Sequence, residues 1–202
     1  VWRAPARRLL LWFALSLPAL ALVVWLNGPR PNLATVLGRP SFLAAEALAL
    51  ATALAAGYAA LCAPIPGEPG WKQLLPLAAA AAWLGFLGKQ CWDVYVAIGP
   101  RGLALGWDSM CIPAIALGGA VPALLMAALL RRGVGYRLTQ SCLCGALAAA
   151  ALAEAALRLY HPEDAALMVL VWQLGSVALF TALASLAGRI ALADTKPAGT
   201  NP

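Results

Sequence analysis

The sequence is poor in charged side chains. Only 11% of its 202 residues are Asp, Glu, Lys or Arg, whereas soluble domains are roughly one-quarter charged. The chain is 63% hydrophobic, and a soluble fold of 202 residues cannot bury so much apolar surface away from water. An ordinary soluble domain is therefore excluded, and lipid is the predicted solvent. The net charge of +6 is assigned to helix ends and membrane orientation, so no direct contact with nucleic acid is predicted.

Signatures of catalysis are also scarce. The chain has a single His, and it contains no G-x-S-x-G, P-loop or HExxH segment. We therefore predict that the protein is not an enzyme and uses no cofactor. Its five cysteines show no CxxC or CxxH spacing, which argues against a closed metal site. The chain also lacks an internal repeat and a linker long enough to separate domains.

Six long apolar runs fill the chain instead. Each is close to the roughly 20 residues that an α-helix needs to cross a hydrocarbon core. We predict an all-α polytopic membrane protein with one six-helix transmembrane domain over residues 1–202. Residue 1 is Val and not Met, which indicates either an unusual start codon or missing upstream residues. The predicted spans are 9–27, 41–63, 72–88, 110–130, 138–157 and 165–187.

The ends of these spans carry the basic and aromatic residues. Of the 14 Lys and Arg residues, nine fall on one side of the predicted spans and five on the other. Because Lys and Arg are enriched in cytoplasmic loops, the side with nine is predicted to be cytoplasmic. Both termini are therefore predicted on the cytoplasmic side of a bacterial inner membrane. Tryptophans near span ends are typical of an interfacial belt. These are Trp12, Trp25, Trp71, Trp92 and Trp107.

Two carboxylates interrupt the apolar runs. Glu46 lies early in the second run and Glu154 late in the fifth, so both are predicted near the outer face. Ionised carboxylates are costly in lipid and usually face partners or water. Arg158 follows Glu154 by four residues, which predicts an ion pair at the helix end. Together with Asp108 and His161 they form a predicted outer polar cluster, which has either a structural role or a role in sensing or transport.

Cys91 lies at the start of the loop predicted at residues 89–109, and Cys111 lies just after its end. The periplasm is oxidising, so a disulfide between them is chemically allowed. Metal ligation with Asp93, Asp108 or His161 is the alternative, and the sequence does not identify a metal. The other three cysteines are expected to pack as small apolar side chains. They are Cys62, Cys142 and Cys144.

Four stretches form an ordered pattern along nearly the whole chain. They are 28–33 with Pro40-Ser41-Phe42, 88–92 with Gly99-Pro100, 107–113, and 161–167 running on to Val171-Trp172. In this order they resemble the NrsF-type family of bacterial membrane anti-sigma factors. The resemblance implies six transmembrane helices that hold an extracytoplasmic-function sigma factor on the cytoplasmic face. It further implies release of that factor on oxidative or metal stress in the envelope.

The resemblance also implies roles for particular residues. Cys111 matches a stress-sensing cysteine of the family. A second family cysteine follows the His of the fifth loop, but here Pro162 follows His161, which leaves Cys91 as the alternative partner. The basic side is the candidate surface for the sigma factor. Its candidate residues are Arg7, Arg8, Arg131, Arg132 and Arg137.

Two functions of other classes stay open at this point. A small membrane transporter or channel subunit would use Glu46 and Glu154 to line a pathway. A thiol-redox membrane protein would use Cys91 and Cys111. An adjacent sigma-factor gene would favour the regulator over both.

Overall fold

The computed structural model describes residues 4–103, 105–106, 111–131, 137–161 and 166–193. These ranges are almost wholly helical and contain no β-strand, which confirms the all-α fold. Six helical segments are long and apolar enough to cross a membrane, as predicted. The helices are α1 (Pro5–Asn27), α2 (Leu33–Leu37), α3 (Pro40–Cys62), α4 (Leu75–Ile98), α5 (Cys111–Leu130), α6 (Leu138–Leu157), α7 (Ala166–Met168) and α8 (Leu174–Ala193). Short 3₁₀ turns precede and follow α4 at Gly70–Gln73 and Gly99–Leu103, and a π turn at Val169–Gln173 joins α7 to α8.

Proline and glycine set several of the helix ends. Pro5 and Pro40 lie in the first turns of α1 and α3, where a missing N–H removes no helical hydrogen bond. Gly28 and Gly99 end α1 and α4 with φ values of 77° and 72°. These left-handed conformations suit glycine because it has no Cβ. The short connections that result make successive spans antiparallel.

The third predicted span is too short. α4 continues to Ile98, so residues 89–98, predicted as loop, are helical and the loop begins at Gly99. Lys89 Nζ lies 2.5 Å from Asp93 Oδ2, one helical turn away on the same face. The two charged side chains favoured a loop in the sequence, but as a pair one turn apart they are compatible with a helix. A helix of 24 residues is about 36 Å long, which exceeds a hydrocarbon core of about 30 Å by about one turn.

α6 is the central helix of the bundle. It packs against α3, α5 and α8, while α1 lies on α5 and α3, and α4 lies on α3. Residues 148–158 are all buried, and apart from Glu154 and Arg158 they are Ala and Leu, as expected of a helix surrounded by other helices. Small side chains let its neighbours approach closely. A Cβ added to Gly118 of α5 would lie only 3.4 Å from the Cβ of Ala153.

Trp12 is not part of an interfacial belt, contrary to the prediction. It is fully buried, and its indole N–H donates a 2.8 Å hydrogen bond to the carbonyl of Pro122 in α5. The reason is that α1 begins at Pro5, so Trp12 lies about two turns inside the helix and faces the bundle. Trp107 lies outside the described residues. The exposed tryptophans that fit a belt are Trp25, Trp71 and Trp92.

Candidate functional sites at the two ends of the bundle

The antiparallel spans give the bundle two chemically different ends. The basic end comprises the starts of α1, α4 and α6 and the ends of α3, α5 and α8. The mixed-charge end comprises the opposite termini, with the 28–39 segment and residues 158–161. The assignment of the basic end to the cytoplasm stays a prediction from the distribution of Lys and Arg.

Arg158 is the centre of the mixed-charge end. Its Nε lies 3.1 Å from Oε1 of Glu46, which projects from the neighbouring helix α3. Its guanidinium also lies over the ring of Phe42, 4.8 Å from the ring centre. Arg158 is 5% exposed, so the ion pair and the cation–π contact both lie in a largely water-free setting. Arg158 therefore joins the end of α6 to the start of α3.

The sequence predicted a different partner for this arginine. Arg158 ends α6 as its C-terminal cap, and its ion pair is with Glu46 rather than with Glu154 one turn earlier. Glu154 is only 1% exposed, and its Oε2 has no hydrogen-bond partner among the described residues. The charges of Arg158 and Glu46 nevertheless act on Glu154. The structure therefore brings three of the predicted cluster residues together in the interior.

Arg30 and Tyr160 also belong to this end, although sequence reasoning did not select them. Arg30 is 2% exposed; its backbone N–H donates to the carbonyl of Leu159 at 3.0 Å, and its Nε donates to Asn32 Oδ1 at 2.7 Å. Arg30 therefore fastens the first outer segment to the end of α6. The sequence feature that could have indicated this role is the pair of prolines on either side of Arg30, because they restrict the backbone that carries it.

Tyr160 connects this cluster to a cysteine. Burial raises the pKa of the Tyr160 phenol, and the neighbouring Cys111 thiol and Glu154 carboxyl act in the same direction. Cys111 is fully buried as the first residue of α5. Cys111 therefore belongs to the mixed-charge end, as the first residue of α5.

The other sensing candidates are more scattered. Cys91 lies in α4 about two turns before its end, rather than at the start of a loop as predicted, and it is 9% exposed. None of the five cysteines, all within the described residues, forms a disulfide. His161 is half-buried and donates its backbone N–H to Leu157 at 2.8 Å. Asp108 lies outside the described residues.

Metal ligation finds no further support in the described part of the chain. It contains no group of three or more His, Cys, Asp or Glu side chains that could hold a metal ion. Asp93, one of the predicted companions of the cysteines, is paired with Lys89.

The basic end presents its arginines to the surroundings. Arg7, Arg131 and Arg137 are exposed, and so is Arg189 near the end of α8. Arg8 is half-buried and donates to the carbonyl of Leu129, at a helix C-terminus where a cation is favoured. The predicted residue Arg132 lies outside the described ranges.

Acidic residues are few among the described residues of the basic end. The carboxylate there is that of Glu68, which accepts a hydrogen bond from Lys72 in the adjoining 3₁₀ turn. The described part of this end therefore contains more Lys and Arg than Asp and Glu. Such a surface attracts acidic partners and anionic headgroups.

A comparison with known families identifies the family of the chain. A family model described as "NrsF: Negative regulator of sigma F" matches residues 2–193. The chain belongs to the NrsF family. No curated protein and no solved structure is significantly similar to the chain.

Membership of the NrsF family confirms the resemblance that the loop motifs indicated. The family name denotes negative regulation of a sigma factor, so a sigma factor is the implied partner of this chain. Anti-sigma regulators are not typically enzymes. The match includes both ends of the bundle and each of the six apolar helical segments.

Proposed function

We propose that this protein is an anti-sigma factor of the bacterial inner membrane. It holds an extracytoplasmic-function sigma factor at its basic end and releases it when oxidative or metal stress reaches the envelope. The observation that carries the proposal is the match of the negative-regulator family to residues 2–193 of a chain with six membrane-length helices. The exposed arginines of the basic end supply a surface of suitable charge.

Binding at the basic end would be mainly electrostatic. Arg7 and Arg131 are exposed, and a guanidinium group can make two parallel hydrogen bonds to a carboxylate. Charges at the rim of an interface steer association and select partners of opposite sign. We therefore expect the sigma factor to present an acidic patch. Arg8 contributes less, because its side chain is already bound to a helix end.

Signalling between the two ends would run through α6. This helix carries Glu154 and the adjoining Arg158 at the mixed-charge end, and it begins next to Arg137 at the basic end. Its buried, close-packed surface makes it respond as a unit, because packed interfaces favour discrete rearrangements over gradual bending. Oxidation or metal binding at Cys111, with Cys91 as a candidate partner, would perturb Tyr160 and the buried carboxylates beside it.

The proposal is tested with a reporter driven by the cognate sigma factor, encoded next to this chain if the proposal is right. Deleting the gene for this chain should raise reporter expression, and restoring it should lower expression again. A variant with Arg7→Glu, Arg131→Glu and Arg137→Glu should fail to restore repression. Arg39→Glu with Arg101→Glu is the matched control, since both residues are exposed at the opposite end.

Two results would count against the proposal. The first is an unchanged regulon after deletion, which would remove the anti-sigma function. The second is loss of repression in the control variant at the mixed-charge end while the basic-end variant represses normally, provided that both reach the membrane in equal amounts. That result would place the partner on the other face.

A further inference from the structure

Two carboxyl groups share one arginine at the mixed-charge end of the bundle. Glu46 projects from α3 and Glu154 from α6, and Arg158 caps the end of α6. The Nε of Arg158 lies 3.1 Å from Oε1 of Glu46, and the charges of Arg158 and Glu46 both act on Glu154. If both carboxyl groups were ionised, these three side chains together would carry one net negative charge.

The other groups at this end do not balance that charge. The Tyr160 phenol follows α6 and has the Cys111 thiol of α5 as a neighbour. Phenols and thiols are neutral, and they become negative when they lose a proton. Arg30 donates its Nε to a side chain of its own segment. Among the described residues, Arg158 is the cation whose charge acts on Glu154, so carboxyl groups outnumber cations around it.

Glu46 and Glu154 lie in different settings. Glu46 is half-buried beside the guanidinium of Arg158, whereas Glu154 is buried and its Oε2 has no hydrogen-bond partner among the described residues. A buried carboxylate without sufficient compensation is costly, and a group in this position takes up a proton instead. A metal ion is a poor alternative, because the positive charge of Arg158 would repel it.

We infer that these three side chains form a proton-binding site, in which Glu154 holds one proton at neutral pH. Glu46 stays ionised as the partner of Arg158, so the site as a whole is electrically neutral. Loss of the proton would place an unpaired negative charge next to the ion pair that joins α6 to α3. Proton binding therefore stabilises this contact. It needs no sigma factor, so it stands apart from the proposed function.

The first test asks whether the proton is present. Infrared spectra are recorded at neutral pH on the purified full-length chain in a neutral detergent. A protonated carboxyl group has a carbonyl band that is separate from the bands of carboxylates and amides. This band should be present in the original chain and absent from Glu154→Gln. Asp93→Asn is the matched control and should keep the band, because Asp93 is exposed and paired with Lys89.

The second test assigns the proton to one of the two carboxyl groups. Gln has the shape of a protonated Glu and carries no charge, so Glu154→Gln should change the equilibrium constant for unfolding by less than about threefold. Glu46→Gln removes the ionised partner of Arg158 and should raise that constant at least about tenfold. Both variants are unfolded at neutral pH in mixed detergent micelles.

Three results would overturn the inference. The first is the absence of the carbonyl band from the original chain, which would mean that both carboxyl groups are ionised. The second is a larger loss of stability in Glu154→Gln than in Glu46→Gln, which would place the proton on Glu46. The third is a Glu154→Gln variant that does not fold, since a neutral side chain of the same shape should be tolerated. A Glu46→Gln variant that does not fold would agree with the expected order.

Discussion

The two ends of the bundle use the same residue type in opposite ways. At the basic end, Arg7, Arg131 and Arg137 are exposed. At the mixed-charge end, Arg30 and Arg158 are at most 5% exposed and are held by neighbouring groups. Exposed arginines contribute little to folding but can bind partners, whereas removing the arginine of a buried ion pair is costly because it leaves the other charge unpaired. Under the proposed function, the exposed arginines of the basic end bind the partner and the buried arginines of the other end hold the helices together.

The largest expected effect is on stability at the mixed-charge end. Arg158→Ala leaves the Glu46 carboxylate without its partner in a buried setting, so unfolding free energy should fall by about 3 kcal/mol. Arg131→Ala, at an exposed site, should change it by less than about 0.5 kcal/mol. Reversible unfolding in mixed detergent micelles measures both. Equal losses of unfolding free energy in the two variants would contradict the difference between the two ends.

Two tryptophans of α1 show the opposite pattern, since the buried Trp12 lies towards the basic end. Trp12→Phe removes the indole donor from the Pro122 carbonyl and leaves a gap, so stability should fall by about 2 kcal/mol. Trp25 is 73% exposed near the mixed-charge end, so Trp25→Phe should change the free energy of unfolding little. The same unfolding assay reports both. A larger loss for Trp25→Phe would mean that α1 is rotated relative to the bundle.

Partner binding should depend on the exposed arginines. Replacing Arg7, Arg131 and Arg137 with Gln should weaken sigma-factor binding at least about tenfold. Because salt screens exposed charges, added salt should reduce the difference in affinity between the original chain and the Gln variant. Binding is measured with the purified sigma factor and the chain in lipid nanodiscs. Lys at the three positions is the control, because it keeps the charge. Affinity that is unchanged by Gln and independent of salt would refute an electrostatic interface.

The smallest differences are expected in the reactivity of the Cys91 and Cys111 thiols. Cys111 is fully buried and Cys91 nearly so, so both should react slowly with a maleimide in unstressed membranes. If oxidation joins them, both should become unreactive together, and Cys91→Ser should leave Cys111 reactive. Cys142→Ser at the basic end is the control. Equal alkylation with and without oxidant, combined with normal signalling by either variant, would exclude the thiol switch.

Hydropathy was enough to predict the six spans, because each must cover the hydrocarbon core with apolar residues. It missed the last turns of α4, since Lys89 and Asp93 read as loop residues until their pairing is seen. It could not predict that Arg158 pairs with Glu46, because the two residues are more than 100 positions apart in the chain and only helix packing brings them together. Local spacing favoured Glu154, which lies on the same helix.

The candidate site was predicted less completely than the fold. Glu46, Glu154 and Arg158 were selected because charge is rare in a membrane span, and they do lie together. Arg30 was counted only as an orientation signal, and its buried role depends on the path of the first loop. The sequence likewise gives no means of knowing that Trp12 faces inward, since that requires the rotation of α1 about its axis.

The most direct test of the account is site-specific photocrosslinking in unstressed cells that express the sigma factor. A photoreactive amino acid replaces Arg131 at the basic end in one strain and Arg39 at the mixed-charge end in another. Both positions are exposed, so both can capture a partner that comes within reach. The account predicts a crosslink to the sigma factor from position 131 and none from position 39. A crosslink from position 39 alone would contradict it.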